Sequence, residues 1–245
     1  MKWASSKDWV RSVAAITLTA ALAGAAIAGP VVVRSTGPSA RAYPAGRQLP
    51  DDGTLALKAG DTVVLLDSRG TRTVSGPGNF PAVSTGTRVS TAQTATRILA
   101  NQQTSERRGG AVRGGTATAE ARSPNLWLVD LSKPGTVCVA DASQVRVWRP
   151  GTDKPADVKV SAAAGTGTIS LPQGTSVAAW PKSAPVADGA EYSVAMEGMA
   201  PAKIKFAVVA PPASLEDTAS ALIAKGCKTQ LDLLIATTGG SGNAG

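Results

Sequence analysis

Cys138 and Cys227 are the only thiols of the chain, and its 245 residues include no histidine. The missing imidazole excludes Ser-His-Asp and Cys-His catalysis, His-ligated zinc, His-held haem and phosphohistidine relays. The 89 residues separating the thiols exclude a CxxC redox motif, and two thiolates alone cannot complete a structural zinc site. In an oxidising compartment the pair reads as a disulfide. Closing so long a loop stabilises by about 4 kcal/mol in the chain-entropy model. The alternative is two buried free thiols.

The other reactive groups yield no catalytic set. Asp51, Asp52, Asp61 and Asp67 could supply paired carboxylates for glycoside hydrolysis. Each lies in a turn or beside a glycine, where Asx capping accounts for it. Asp61, Asp67 and Asp188 lack the ligand density of a calcium loop. Ser132 and Lys133 are adjacent, without the Ser-x-x-Lys spacing of a His-free hydrolase. Gly109-Gly110 and Gly114-Gly115 lack the Gly-Lys-Ser/Thr ending of a phosphate loop. Arg107, Arg108 and Arg113 among glycines lack the aromatics on which RNA bases stack. The expectation is a protein with no catalytic residues, no metal, no cofactor and no nucleic-acid partner.

The residues ahead of these groups supply an address. Lys2, Lys7 and Arg11 outweigh Asp8, and Ser12 to Ala28 carry no charge. The stretch ends Ala26-Ile27-Ala28-Gly29, an A-x-A cleavage pattern after an apolar h-region. Residues 1–28 therefore read as a signal peptide cut between Ala28 and Gly29. The alternative is an uncleaved anchor, which would be the chain's only contact with a membrane. Either way the rest of the chain lies in the periplasm or is otherwise exported. Removing residues 1–28 leaves 22 basic and 16 acidic residues, a net charge of +6. That excess could meet anionic envelope polymers, or could simply be solvated surface.

Composition limits the architecture that can hold these groups. The chain has 26 Gly and 16 Pro, with 43% hydrophobic and only 4% aromatic residues. Such a load of small residues and breakers argues against a helical bundle and for a mainly β fold. Val31 to Ser35, Thr54 to Lys58, Thr62 to Asp67 and Thr71 to Val74 read as strands. Turns separate them at Gly37-Pro38, Asp51-Asp52-Gly53, Gly60-Asp61 and Ser68-Arg69-Gly70. Gly76-Pro77-Gly78 ends the run.

Within it, Leu55-x-Leu57-x-x-Gly60-Asp61-x-Val63-x-Leu65-Leu66-Asp67-x-x-Gly70-Thr71-Arg72 resembles the β-repeat of FecR-like domains. These are extracytoplasmic β modules found in sigma-factor regulators and in other exported proteins. The resemblance covers roughly residues 31–82 and implies a small antiparallel β module over residues 29–90. It also implies a possible role as a periplasmic regulator of the FecR type. Only residues 1–11 precede the apolar segment, too few for an anti-sigma domain, so that role stays an alternative. An adjacent sigma-factor gene would favour it.

Residues 91–123 read as a short helix, over 91–108, followed by a flexible Gly-Arg linker. Residues 124–210 read as a β-sandwich-like domain of seven or eight short strands. The first is Leu126 to Leu131. Later ones include Val137 to Ala140, which holds Cys138, then Glu191 to Met196 and Ala202 to Val209. Trp127, Trp148 and Trp180 are expected to fill much of its core, the alternative being an exposed aromatic platform for sugars. The Trp180-Pro181 to Val194 stretch is similar to the late-strand rhythm of fibronectin- and immunoglobulin-like modules. There a turn delivers a Tyr, here Tyr192, into the penultimate strand.

After Pro211-Pro212 the apolar period becomes helical. Ser214 reads as N-cap, Glu216 and Asp217 as first-turn acids, and Gly226 as the C-terminal stop. Residues 211–237 therefore form a helical hairpin that Cys227 can anchor, and 238–245 a disordered tail. Together these readings point to a non-enzymatic exported envelope protein that binds or scaffolds an envelope protein. The alternative partner is a cell-wall polymer or polysaccharide.

Overall fold

A computed structural model of the protein describes residues 29–83 and 121–239. The expected signal peptide with Ala26 and Ala28, the helix at 91–108 and the linker up to residue 120 lie outside the described residues. So do residues 240–245 of the expected tail. The chain is mainly β, with 39% strand and 13% helix.

The first module contains β1 (Val31–Thr36), β2 (Thr54–Leu57), β3 (Thr62–Asp67), β4 (Gly70–Ser75) and β5 (Gly78–Pro81). They form an antiparallel β1-β3-β4 sheet and a β2-β5 ribbon. Alternation explains the unusually apolar β3. Val63 and Leu65 join Val32, Leu55, Leu57 and Val74 in the module's own core. Leu66 and Val64 face the other way, into a second cluster. A strand covered on both faces loses its polar alternation and reads as a continuous apolar run. The chain does not stop at Gly78 as its breakers suggest. Gly78-Asn79-Phe80-Pro81 pairs with β2, Leu55 opposite Phe80. Arg72 secures this ribbon by donating to the carbonyls of Pro81 and Ala82.

Eight strands form the second module. They are β6 (Val129–Asp130), β7 (Gly135–Val139), β8 (Arg146–Trp148), β9 (Ala156–Ala162), β10 (Gly165–Leu171), β11 (Val177–Ala179), β12 (Glu191–Met196) and β13 (Ala202–Val208). The sheets run β10-β9-β12-β13-β7 and β11-β8-β6, with β7 parallel to β13. Val129 and Val147 of the smaller sheet meet Val158, Val194, Ile204 and Phe206 of the larger in one core. At its centre Trp180, Tyr192 and Phe206 pack edge-to-face, with centroids 5.1 to 5.4 Å apart, the arrangement ring quadrupoles favour. Tyr192 Oη donates to Pro185 O at 2.6 Å and accepts from Ala187 N at 3.1 Å. The hydroxyl thus ties the penultimate strand to the loop before it, an arrangement similar to a tyrosine corner.

Two expectations change here. Trp180 fills the sandwich core, whereas Trp127 lies in a separate cluster against the helices. Trp148 is buried outside the aromatic triad. The Leu126 to Leu131 run is a strand only at Val129–Asp130. Asn125 turns the chain first, its Oδ1 accepting from Trp127 N at 2.8 Å. The run is apolar because it serves two cores: Leu126 and Trp127 face the helices, Val129 and Leu131 the sandwich.

Two helices close the chain, α1 (Leu215–Lys225) and α2 (Lys228–Thr238). Ser214 Oγ accepts from Asp217 N at 3.0 Å, satisfying one of the free first-turn amides. Gly226 ends α1 in the left-handed region at φ 73°. Its N–H and that of Cys227 return to Ile223 O and Leu222 O, as in a Schellman stop. The second helix extends past the expected end at residue 237. Thr238 is helical and buried, and its hydroxyl lies 2.6 Å from that of Thr71 on β4. Gly239 bridges Thr71 in parallel.

The hairpin is a shared layer. Its Leu215, Ala219, Leu222 and Leu234 pack in one cluster with Val33 and Leu66 of the first module. Trp127, Cys138, Ala207 and Val209 of the second complete it. No helix among the described residues is long and apolar enough to cross a membrane.

Candidate functional site

The two sequence-marked thiols meet where the hairpin touches the sandwich. Along β7, Val137 and Val139 point into the sandwich core, so Cys138 points outward. It is bonded to Cys227 at the start of α2, S–S 2.00 Å and Cα–Cα 5.8 Å, a separation native disulfides span without backbone movement. One helical turn on, Gln230 reaches the same residue. Cys138 N–H donates to Gln230 Oε1 at 2.6 Å, and Gln230 Nε2 donates to Cys138 O and to Leu126 O, each at 2.8 Å. As the outer strand of its sheet, β7 presents a row of unpaired backbone groups. The buried amide side chain takes the place of a further strand at Cys138.

Beside this junction α2 and the β6–β7 region enclose a cleft of about 330 Å³. Its walls are apolar, from Leu126, Leu128 and Val137 on one side and Leu233 and Ala236 on the other. Arg122, Lys133, Asp130 and Asp232 supply charge of both signs. Asp130 Oδ1 accepts from Ser132 N at 2.9 Å and Ser132 Oγ at 2.6 Å. Asp232 pairs at 2.5 Å with Arg34 of β1, both side chains more than half exposed. One wall of the cleft is thus tied covalently to the sandwich and electrostatically to the first module.

Of the remaining sequence-marked groups, Asp61, Asp67, Asp188 and Ser132 have hydrogen-bond partners. Asp61 is buried, and its carboxylate accepts from Ser39 N at 2.8 Å and Lys58 N at 2.6 Å. Burial works to raise its pKa, but hydrogen bonds from Ser39 and Lys58 and the Lys58 charge outweigh that and lower it. Asp67 accepts from Arg69 N at 2.8 Å in the β3–β4 turn. Asp188 accepts from Val208 N at 2.8 Å. The Ser132 hydroxyl is turned to Asp130, not held against Lys133 as a base-assisted nucleophile requires. Among the described residues no three Cys, Asp or Glu side chains converge closely enough to hold a metal ion.

Two of the buried polar groups without a sequence signal each tie elements together through three hydrogen bonds. Gln230 is one. Arg149 is the other, donating at 3.1 to 3.2 Å to the carbonyls of Leu171, Pro172 and Thr175. It fastens the β10–β11 loop to the end of β8. For Gln230, a place one turn after Cys227 does not by itself say which polar side chain of α2 meets the strand.

Comparison with protein-family models, curated proteins and solved structures finds no match.

Proposed function

We propose that this is a non-catalytic, exported envelope protein that binds or scaffolds a protein partner through the cleft between α2 and the β6–β7 region. The observation that carries the reading is the cleft itself. Apolar walls with a few charges of both signs suit a short protein segment, whose side chains enter the walls while its polar groups meet the rim. Export is supported by the basic start, the Ala26-x-Ala28 pattern and the disulfide, since such bonds persist in oxidising compartments. A photo-crosslinking residue placed at Ala236 in native envelopes is expected to give an adduct of defined mass, absent when it stands at exposed Lys154. No adduct, or the same adduct from both positions, overturns the reading.

A second reading, binding of an anionic cell-wall polymer, rests on the outer face of the larger sheet. Exposed Lys159, Lys203 and Lys205 alternate with core residues along β9 and β13. Glu191 lies opposite Lys205. An aromatic sugar platform does not support it, because Trp127, Trp148 and Trp180 are all buried. Retention on purified cell wall that falls steeply with salt, and disappears when these lysines become Gln, would favour this reading over the cleft.

A further inference from the structure

The strand beside the cleft, β7, pairs with β13 in unbroken register from Gly135 to Val139. In a parallel ladder a residue sends its N–H and C=O to one side, and its neighbours send theirs to the other. Val139 O accepts from Val209 N at 3.0 Å, so Val139 faces β13. Cys138 sends both groups the opposite way, to Gln230. Thr136 repeats Cys138 two residues back. Its N–H and C=O therefore also leave the sheet on the side of Gln230, which lines the cleft together with Val137. Among the described residues no strand or side chain meets them there as Gln230 meets Cys138.

These two groups select the shape of what the cleft takes. A helix bonds its own backbone groups internally and would leave those of Thr136 unpaired. An extended segment has N–H and C=O groups free along its edges, and side chains on two opposite faces. The cleft offers an apolar wall to each face, Leu126 and Leu128 on one side and Leu233 and Ala236 on the other. Charge selects further. Asp130 is held by Ser132, and Asp232 by Arg34. Arg122 lines the cleft, is exposed, and makes no hydrogen bond or ion pair among the described residues. Its positive charge is left for what enters.

We infer that the partner protein enters this cleft as an extended segment, adds to β7 as a further strand at Thr136 and sets an acidic side chain against Arg122. The inference rests on the cleft reading of the function and names the form and charge of what binds there. Main-chain pairing supplies affinity, while the two walls and Arg122 choose among segments. Gln230 marks where the added strand ends, because at Cys138 the same place is already taken.

The test uses the full chain in native envelopes with the photo-crosslinking residue at Ala236. Hydrogen exchange at single amides is compared between the free protein and the purified adduct. The Thr136 amide is expected to exchange at least about tenfold more slowly in the adduct, the protection that one added hydrogen bond gives. The Cys138 amide is bonded to Gln230 in both and stays unchanged as the reference. Arg122→Gln should lower the adduct yield about two- to fivefold, as loss of one exposed ion pair does. An adduct in which Thr136 exchanges at the free rate, or whose yield ignores Arg122→Gln, overturns the inference and leaves the cleft reading standing. An adduct with the mass of a second copy, or a crosslink within the chain, overturns the inference as well. Absence of any adduct overturns both.

Discussion

The Asp61 carboxylate lies within the first module and is held there by amide donors from two directions, Ser39 and Lys58. Its pKa lies below the ordinary 3.8, so between the two values the unfolded chain binds more protons than the folded one. Asp61 therefore stabilises the fold above pH 3.8, and that contribution is lost as pH falls through the lower, folded value. The thermal midpoint is expected to drop across this acid range in the parent protein and to vary less in Asp61→Asn. Calorimetry between about pH 2 and pH 5 checks it. At Gln230 the effect is larger at neutral pH. Gln230→Ala leaves one amide and two carbonyls of the junction without their partner. The expected loss is about 2–3 kcal/mol by urea unfolding, because desolvated groups would be left unpaired. The turn at Gly60-Asp61 was legible, but the tie from Asp61 to Ser39 across the module was not. Gln230 was not, because a lone Gln among helical polar residues does not say which of them faces a strand.

At the scale of elements, caps and two-sided burial decide what forms. The hairpin stands on its stops: Ser214 opens α1, and Gly226 ends it at φ 73°. A Cβ at Gly226 would meet nothing within 4 Å. Gly226→Ala thus isolates the backbone cost of the left-handed conformation, expected at about 1 kcal/mol with the fold unchanged. Thermal unfolding of the variant measures it, and a near-zero change would mean the α1–α2 turn has other conformations open to it. Such caps, like the run Thr62-Val63-Val64-Leu65-Leu66-Asp67, were readable because local chemistry dictates them. The ribbon strand Gly78–Pro81 was hidden, since only its distant pairing with Thr54–Leu57 makes it a strand. The Leu126 to Leu131 run misled for the opposite reason. Its apolarity reflects two different cores, and a sequence cannot show that a side chain faces a neighbouring module.

For the whole molecule the hairpin joins two β modules through one shared apolar cluster. Leu66 belongs to the first module's sheet yet is fully buried in the cluster shared with the hairpin and sandwich. Leu66→Ala should cost about 2–4 kcal/mol and move a single calorimetric endotherm. Two separated endotherms in the parent protein would show that the modules unfold independently. The mainly β fold and the cysteine pair were legible in the sequence. The cleft was not, because Leu126, Val137 and Leu233 approach only after residues 139–226 have folded between Cys138 and Cys227. That closed loop also sets how the protein carries load. Tension entering through the first module and leaving at the C-terminus crosses from Cys138 to Cys227 through sulfur. It bypasses β8 to β13 and α1 altogether. In single-molecule pulling the oxidised protein should keep residues 139–226 out of its extension. Reductant should release about 300 Å of additional contour length, at roughly 3.5 Å per residue. The sandwich would act as a mechanically shielded module whose strands feel an external pull only after the covalent shortcut is opened.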